Sequence, residues 1–374
     1  MERREFSFTL DGDIYLRFLA FKDLTEFKEE LKKKKPVKID IGAIYTCSLK
    51  DKRVTQRTPV EKEFVLDIDL TDYDDVRTCC QDACVCEKCW KFLSVAVAVL
   101  DAALREDFGF QHLLWVFSGR RGIHCWVCDV DARTLSAWER GCVAQYLSLS
   151  QADSKSNRRV NLTTERLDPP TKRAVDIISK VFESIMLEDQ AVLDTPKGLQ
   201  YLLALIPDDT LRNECEKELQ NLPDSVSKWE RFTQLVRSAN IEKESAKVGK
   251  KGKIRQSTGL LIEEVMLHYL YPRLDINVTT GLNHLLKAPF CIHPKTGFVC
   301  VPFNPRTASK FKPLDVPKIN ILLKEVNEWD EKSKELVTAS NVKEYKKTSM
   351  HKSVAIFEEF VYKLAQASTP MEIM

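Results

Sequence analysis

The amino-acid sequence predicts an α/β (α+β) fold, a mixed-sheet core into which an all-helical subdomain is inserted. Three observations carry that expectation. Apolar residues alternate with a period of two in short runs before residue 130 and again between 273 and 302. Between the early runs Phe92, Val95, Ala96, Val99, Leu100 and Ala103 recur at helical spacing, so Trp90–Asp107 reads as an amphipathic helix. From about 133 to 270 the chain is helical in character, punctuated by Pro169-Pro170, Pro196, Pro207 and Pro223.

Taken in order, Phe6–Leu10 alternates, Asp11-Gly12-Asp13 is a turn and Ile14–Phe18 resumes the pattern, which makes a hairpin. Phe64–Leu70 and Leu113–Phe117 are strands, and Ile123–Asp129 follows a tight loop at Ser118–Gly122. Val175–Leu187, Val226–Ala239 and Leu260–Leu270 read as helices, and the polar Ile241–Thr258 as a mobile loop. Strands are expected again at Arg273–Val278 and Phe298–Pro302, and charged helices after Val316 with frayed last residues. The division that follows is a discontinuous core of 1–132 and 266–360, a helical insertion at 133–265 and a tail at 361–374.

The 374 residues fit two or three folding units, and 44% hydrophobic content excludes wholesale disorder. No apolar run approaches the ~18 residues of a membrane span, and Met1–Phe6 has no apolar segment behind its charges. A soluble intracellular protein is expected. With 57 Lys+Arg against 55 Asp+Glu the net charge is only +2, so a nucleic-acid site would have to be a local patch. The runs Lys32–Lys35 and Lys250–Arg255 are most simply solvated charge.

In Phe64–Leu70 the alternation puts Val65, Asp67 and Asp69 on one face. Two neighbouring carboxylates repel unless a cation or proton separates them, and hard Mg²⁺ or Mn²⁺ suits carboxylate oxygen. Alone, the pair reads more simply as a solvated strand face. Asp275, expected on the polar face of a second strand beside Arg273, adds a third carboxylate that could complete a two-metal site, or simply pair with Arg273. Ser118-Gly119-Arg120-Arg121-Gly122-Ile123-His124 offers close backbone approach, two guanidiniums and a hydroxyl, which suits a phosphate or a basic turn. No G-x-x-x-x-G-K-[ST] occurs, which excludes a Walker-type site. His284, Lys287 and His293 form a similar cluster after Asp275.

Of twelve cysteines, five crowd into eleven residues at Cys79, Cys80, Cys84, Cys86 and Cys89. In a reducing compartment that crowding points to tetrahedral Zn²⁺ with four thiolates, for which five candidates compete, rather than to disulfides.

These motifs in this order resemble the small catalytic subunit of eukaryotic DNA primase, of the archaeo-eukaryotic primase superfamily. The resemblance runs through Arg4–Phe8, Lys38–Ala43, Asp67–Asp69 with Thr71–Arg77, the cysteine cluster, Glu106–Phe110, Ser118–Val127 and Pro272–Gly297. It implies that Asp67, Asp69 and Asp275 bind catalytic Mg²⁺ or Mn²⁺. It implies that Ser118, Arg120, Arg121, His124, Lys287 and His293 hold a nucleotide triphosphate, that Glu5, Arg17 and Asp40 lie near the nucleotide and its sugar, and that Cys79, Cys80, Cys86 and Cys89 bind structural zinc, with Cys84 extra. The implied activity is a DNA-dependent RNA polymerase that makes short RNA primers on single-stranded DNA from ribonucleoside triphosphates. The implied partners are a primase large subunit and the DNA polymerase alpha complex, in the nucleus, with no membrane. The family usually carries several tens of residues before the Arg-Glu-Phe motif, on which this chain almost begins. Two other readings stand beside it, a metal-dependent phosphoesterase or nuclease and a non-catalytic zinc-binding replication scaffold.

Overall fold

The computed structural model describes residues 1–51, 53–54, 56–149, 160, 162, 166–247, 259–333 and 342–367. The strands are β1 (Arg4–Thr9), β2 (Tyr15–Leu19), β3 (Lys38–Tyr45), β4 (Pro59–Glu61), β5 (Phe64–Asp69), β6 (Leu113–Phe117), β7 (Gly122–Val127) and β8 (Leu286–Lys287). The helices are α1 (Leu24–Lys34), α2 (Glu87–Glu106), α3 (Val130–Thr134), α4 (Ala137–Ser148), α5 (Pro169–Ile178), α6 (Pro196–Leu205), α7 (Asp209–Leu219), α8 (Ser225–Lys247), α9 (Leu261–Leu270), α10 (Ile276–Thr280), α11 (Ile319–Ser333) and α12 (His351–Ala367). The mixed helix-and-sheet class is the one the sequence predicts.

The chain divides into two compact units, Met1–Asp69 with Leu104–Tyr146 and Leu274–Met374, and Leu70–Ala103 with Leu147–Arg273. The first holds both sheets. One has the order β2-β1-β3-β4 with β8 also on β3, and the other the order β5-β7-β6, all paired antiparallel. The expected hairpin forms as β1 and β2, closed by a turn in which Gly12 takes φ +74°. Val65, Leu114, Val116, Trp126, Val278, Leu286 and Cys300 make a common core, against which Ile39, Ile41, Phe357, Phe360 and Leu364 pack. The second unit is helical. Phe182 and Trp229 meet at 4.6 Å between ring centres, Tyr201 and Tyr269 at 5.3 Å, and Phe232, Leu202 and Met186 are fully buried.

Five local expectations are corrected. Arg273–Val278 is not a strand: Asp275 caps α10, its carboxylate accepting from Asn277 N–H at 3.0 Å and Val278 N–H at 3.4 Å. Val175–Leu187 is not one helix, because α5 ends at Ile178 and a π-helical turn occupies Glu183–Asp189. α8 continues through Ile241 to Lys247, where a loop was expected; residues 248–258, and with them Lys250–Arg255, lie outside the described residues. Phe298–Pro302 makes only isolated bridges, although Phe117 N–H donates to Val301 O at 2.9 Å and Phe303 N–H to Trp115 O at 3.0 Å beside β6. The tail expected at 361–374 is in part helical, since α12 runs through Val361 to Ala367; residues 368–374 lie outside the described residues.

Candidate functional site

The first unit gathers most of the residues singled out above. On β5, Asp67 faces His124 of β7 and Asp69 faces Gly122, as cross-strand partners. His124 Nε2 lies 3.6 Å from Asp67 Oδ1, and Arg121 Nε donates to Asp69 Oδ2 at 2.8 Å. Asp275 arrives from far along the chain, and its N–H donates to the Asp67 carbonyl at 3.0 Å. Its carboxylate is exposed at the start of α10. The backbone of Asp275 is therefore tied directly to that of Asp67, through one hydrogen bond and a helix cap rather than through a shared sheet.

The turn between β6 and β7 is shaped by its glycines. Gly119 sits at φ +86°, and a Cβ there would fall 2.7 Å from His293 Cβ. A Cβ on Gly122 would fall 2.6 Å from the Ile68 carbonyl. Ser118 Oγ accepts from Gly122 N–H at 3.1 Å, while its carbonyl accepts Lys287 Nζ at 2.9 Å. Thr296 Oγ1 donates to Gly119 O at 2.7 Å and ties the 293–297 turn to the same loop. Thr296 was not singled out in the sequence; a hydroxyl beside a Lys-Thr-Gly turn was the only signal.

Electrostatics here favours neutral imidazoles among fixed cations. Burial and the nearby Lys287 push His124 down to about 3, and its Nδ1 has no hydrogen-bond partner. Burial, then Lys287, Arg120 and Lys295, push His293 down to about 4. Burial also lowers His284.

Glu5, Arg17 and Asp40 lie on the larger sheet. Glu5 is fully buried and accepts from Arg17 Nε at 3.1 Å, Phe18 N–H at 3.3 Å and Tyr45 Oη at 2.9 Å. Burial, then Glu5, push Tyr45 up to about 12. Asp40 Oδ2 accepts Ser7 Oγ at 3.0 Å and Lys38 Nζ at 3.0 Å, and Asp40 pairs with Lys287 across β3 and β8. Arg17, Phe18, Tyr45, Arg57 and Asn283 line an open pocket on this side; Arg57 carried no sequence signal.

Among the described residues, one group of metal-binding type has its donor atoms within 4.8 Å of one another: Cys79, Cys80, Cys86 and Cys89, in the second unit. The Cys86 and Cys89 sulfurs are 3.8 Å apart, close to the edge of about 3.8 Å that Zn–S bonds of ~2.3 Å give a tetrahedron. The donor set therefore fits Zn²⁺. Cys86 N–H donates to Cys89 Sγ at 3.1 Å and Gln190 Nε2 to Cys79 Sγ at 3.3 Å. The Cys79 thiol holds Cys89 down at about 5 and is itself pushed up, while burial pushes Cys80 up to about 12. Cys84 is exposed and outside the four.

Asp67, Asp69 and Asp275 form no such compact cluster, and two of them already face a histidine and an arginine. Their oxygen donors suit a hard divalent cation, and ions set ~3.5–4 Å apart need ligands spread over a wider site than one zinc does. No described helix is long and apolar enough to cross a membrane.

Comparison with known proteins gives a consistent picture. The family model for the DNA primase small subunit matches residues 66–305. The chain is 48% identical to the DNA primase small subunit of Drosophila melanogaster, over 97% of this chain and 84% of the relative. It is 40% identical to that of Schizosaccharomyces pombe, over 87% and 71%, and 38% identical to that of Saccharomyces cerevisiae, over 85% and 76%.

Proposed function

Because the chain belongs to the DNA primase small subunit family, we propose that it is the nucleotidyltransferase that makes short RNA primers on single-stranded DNA, with Asp67, Asp69 and Asp275 as its metal-binding carboxylates. The observation that supports this reading is the Asp275 N–H bond to Asp67 O, which ties the Asp275 segment to β5 beside a loop of glycine, arginine and histidine. Mg²⁺ or Mn²⁺ held there would lower the pKa of a ribonucleotide 3′-hydroxyl and neutralise charge on the departing pyrophosphate.

The chain's own groups do the rest by position and charge. Arg120, Arg121 and Lys287 supply fixed positive charge to a triphosphate, and the second of these would trade its bond to Asp69 for phosphate oxygen. His124 and His293, uncharged at neutral pH, donate or accept single hydrogen bonds without adding repulsion to those cations. The Ser118 hydroxyl and the open backbone at Gly119 complete the cradle. Glu5 orients Arg17, and Asp40 offers a carboxylate to a ribose hydroxyl. Zn²⁺ at Cys79, Cys80, Cys86 and Cys89 is structural, since four protein ligands leave it no open position. The large subunit, which the relatives' designation as small subunits implies, the DNA polymerase alpha complex and a nuclear location belong to the same reading.

The test is primer synthesis on a single-stranded pyrimidine template with labelled ribonucleotides and Mn²⁺. Short RNA is expected from the wild type and none from Asp67→Ala/Asp69→Ala. Equal products from both would move the metals elsewhere. Silence from the wild type even with the large subunit added would favour a scaffold.

A further inference from the structure

We infer that Lys62 is a positioning residue for Asp275: its ammonium fixes α10 to the chain entering β5, and so sets where the Asp275 carboxylate meets Asp67 and Asp69. The inference rests on the metal-binding reading of those carboxylates.

The geometry is a clamp at two points. A single-turn helix such as α10, five residues long, has little stability of its own, so its attachments set its orientation. At its start Asp275 N–H bonds to Asp67 O at 3.0 Å. At its end Gly281, the C-cap, presents its carbonyl to Lys62 Nζ at 2.8 Å. Both partners lie on one short stretch of chain, so α10 is held along its length against residues 62–67. Val278 is buried between the two attachments.

Lys62 is itself buried and its backbone is held on both sides. It is 2% exposed, its N–H donates to Arg133 O at 3.0 Å, and its carbonyl accepts Arg140 Nη2 at 2.5 Å. Simple satisfaction of the Gly281 carbonyl does not account for it, because that oxygen already accepts His284 N–H at 3.2 Å. A buried ammonium is a costly way to satisfy one acceptor. It is an effective way to hold a helix C-terminus, where positive charge is favoured.

The experiment measures Mn²⁺ binding to the full chain by the EPR signal of free Mn²⁺. The variants are Lys62→Met, Lys62→Gln, Asp275→Asn and the double variant Lys62→Met/Asp275→Asn. Loss of a partner that orients a ligand weakens metal binding by about tenfold or more. Lys62→Met is expected to show that loss, and Lys62→Gln, which keeps a donor, to recover part of it. In the Asp275→Asn background Lys62→Met is expected to add nothing, as residues acting through one another do. Lys62→Gln also serves should the Met variant not fold. A fall in melting temperature with unchanged Mn²⁺ affinity would overturn the inference, as would additive losses in the double variant. Wild-type affinity in Asp275→Asn would instead overturn the carboxylate reading beneath it.

Discussion

Gly122 shows how much of the site depends on an absent atom. Its Cα passes so close to the Ile68 carbonyl that Gly122→Ala must part β5 from β7 at the Asp69 end. A loss of about 1–3 kcal/mol is expected from urea unfolding, with weakened nucleotide binding. His124 makes a different prediction. Unfolded, it binds a proton near 6.5, whereas buried in the fold it stays neutral until about 3. Between those values the unfolded state holds the extra proton, so stability is intact above pH 6.5 and falls on acidification, by up to about 1.4 kcal/mol per pH unit. Urea midpoints at pH 7 and 5 check this, and in His124→Asn the slope is expected to be shallower by about one proton. His293 is half-buried and adds a contribution of the same sign over the narrower window between about 4 and 6.5.

At the scale of elements, α3, α4 and the chain entering β5 are joined by one side chain. Arg140 is fully buried and donates to the carbonyls of Leu135 at 3.0 Å, Glu63 at 3.1 Å, Arg133 at 3.1 Å and Lys62 at 2.5 Å. Arg140→Met would leave those acceptors short of partners and is expected to cost about 1–3 kcal/mol in unfolding free energy for a carbonyl left unpaired. Arg140→Lys should recover little, because an ammonium cannot span the same fan of oxygens. This scale also shows what the sequence could reveal. β5 was legible because its alternation is regular. The Asp275 segment was not, since Leu274, Ile276 and Val278 alternate equally well in a strand and in a capped turn of helix. The discriminating sign was an Asp ahead of Ile276–Thr280, a preferred N-cap residue. α8 hid its last turns because Ile241–Lys247 is rich in Glu, Lys and Ser, which composition reads as loop.

For the whole molecule, the cysteine cluster was the most legible feature, because thiolate chemistry and spacing are local. The carboxylate trio needed tertiary structure, since a backbone bond between distant segments leaves no mark in spacing. The cluster and the trio belong to different compact units, each with its own core. Calorimetry is therefore expected to show more than one transition, with zinc chelation lowering that of the cysteine-bearing unit. Cys89→Ser should reduce bound zinc from about one ion per chain toward none, by elemental analysis, whereas Cys84→Ser should leave it unchanged.

The bond from Asp275 N–H to Asp67 O also has a consequence in time. The chain leaves the first unit after Asp69, passes through it again at Leu104–Tyr146, and rejoins it at Leu274. At ~5–20 residues per second, translation takes tens of seconds to pass from one aspartate to the other. Throughout that interval the emerging protein carries two adjacent carboxylates without their third, while the entire helical unit is synthesised. The nascent polypeptide therefore cannot assemble this site before most of it has left the ribosome.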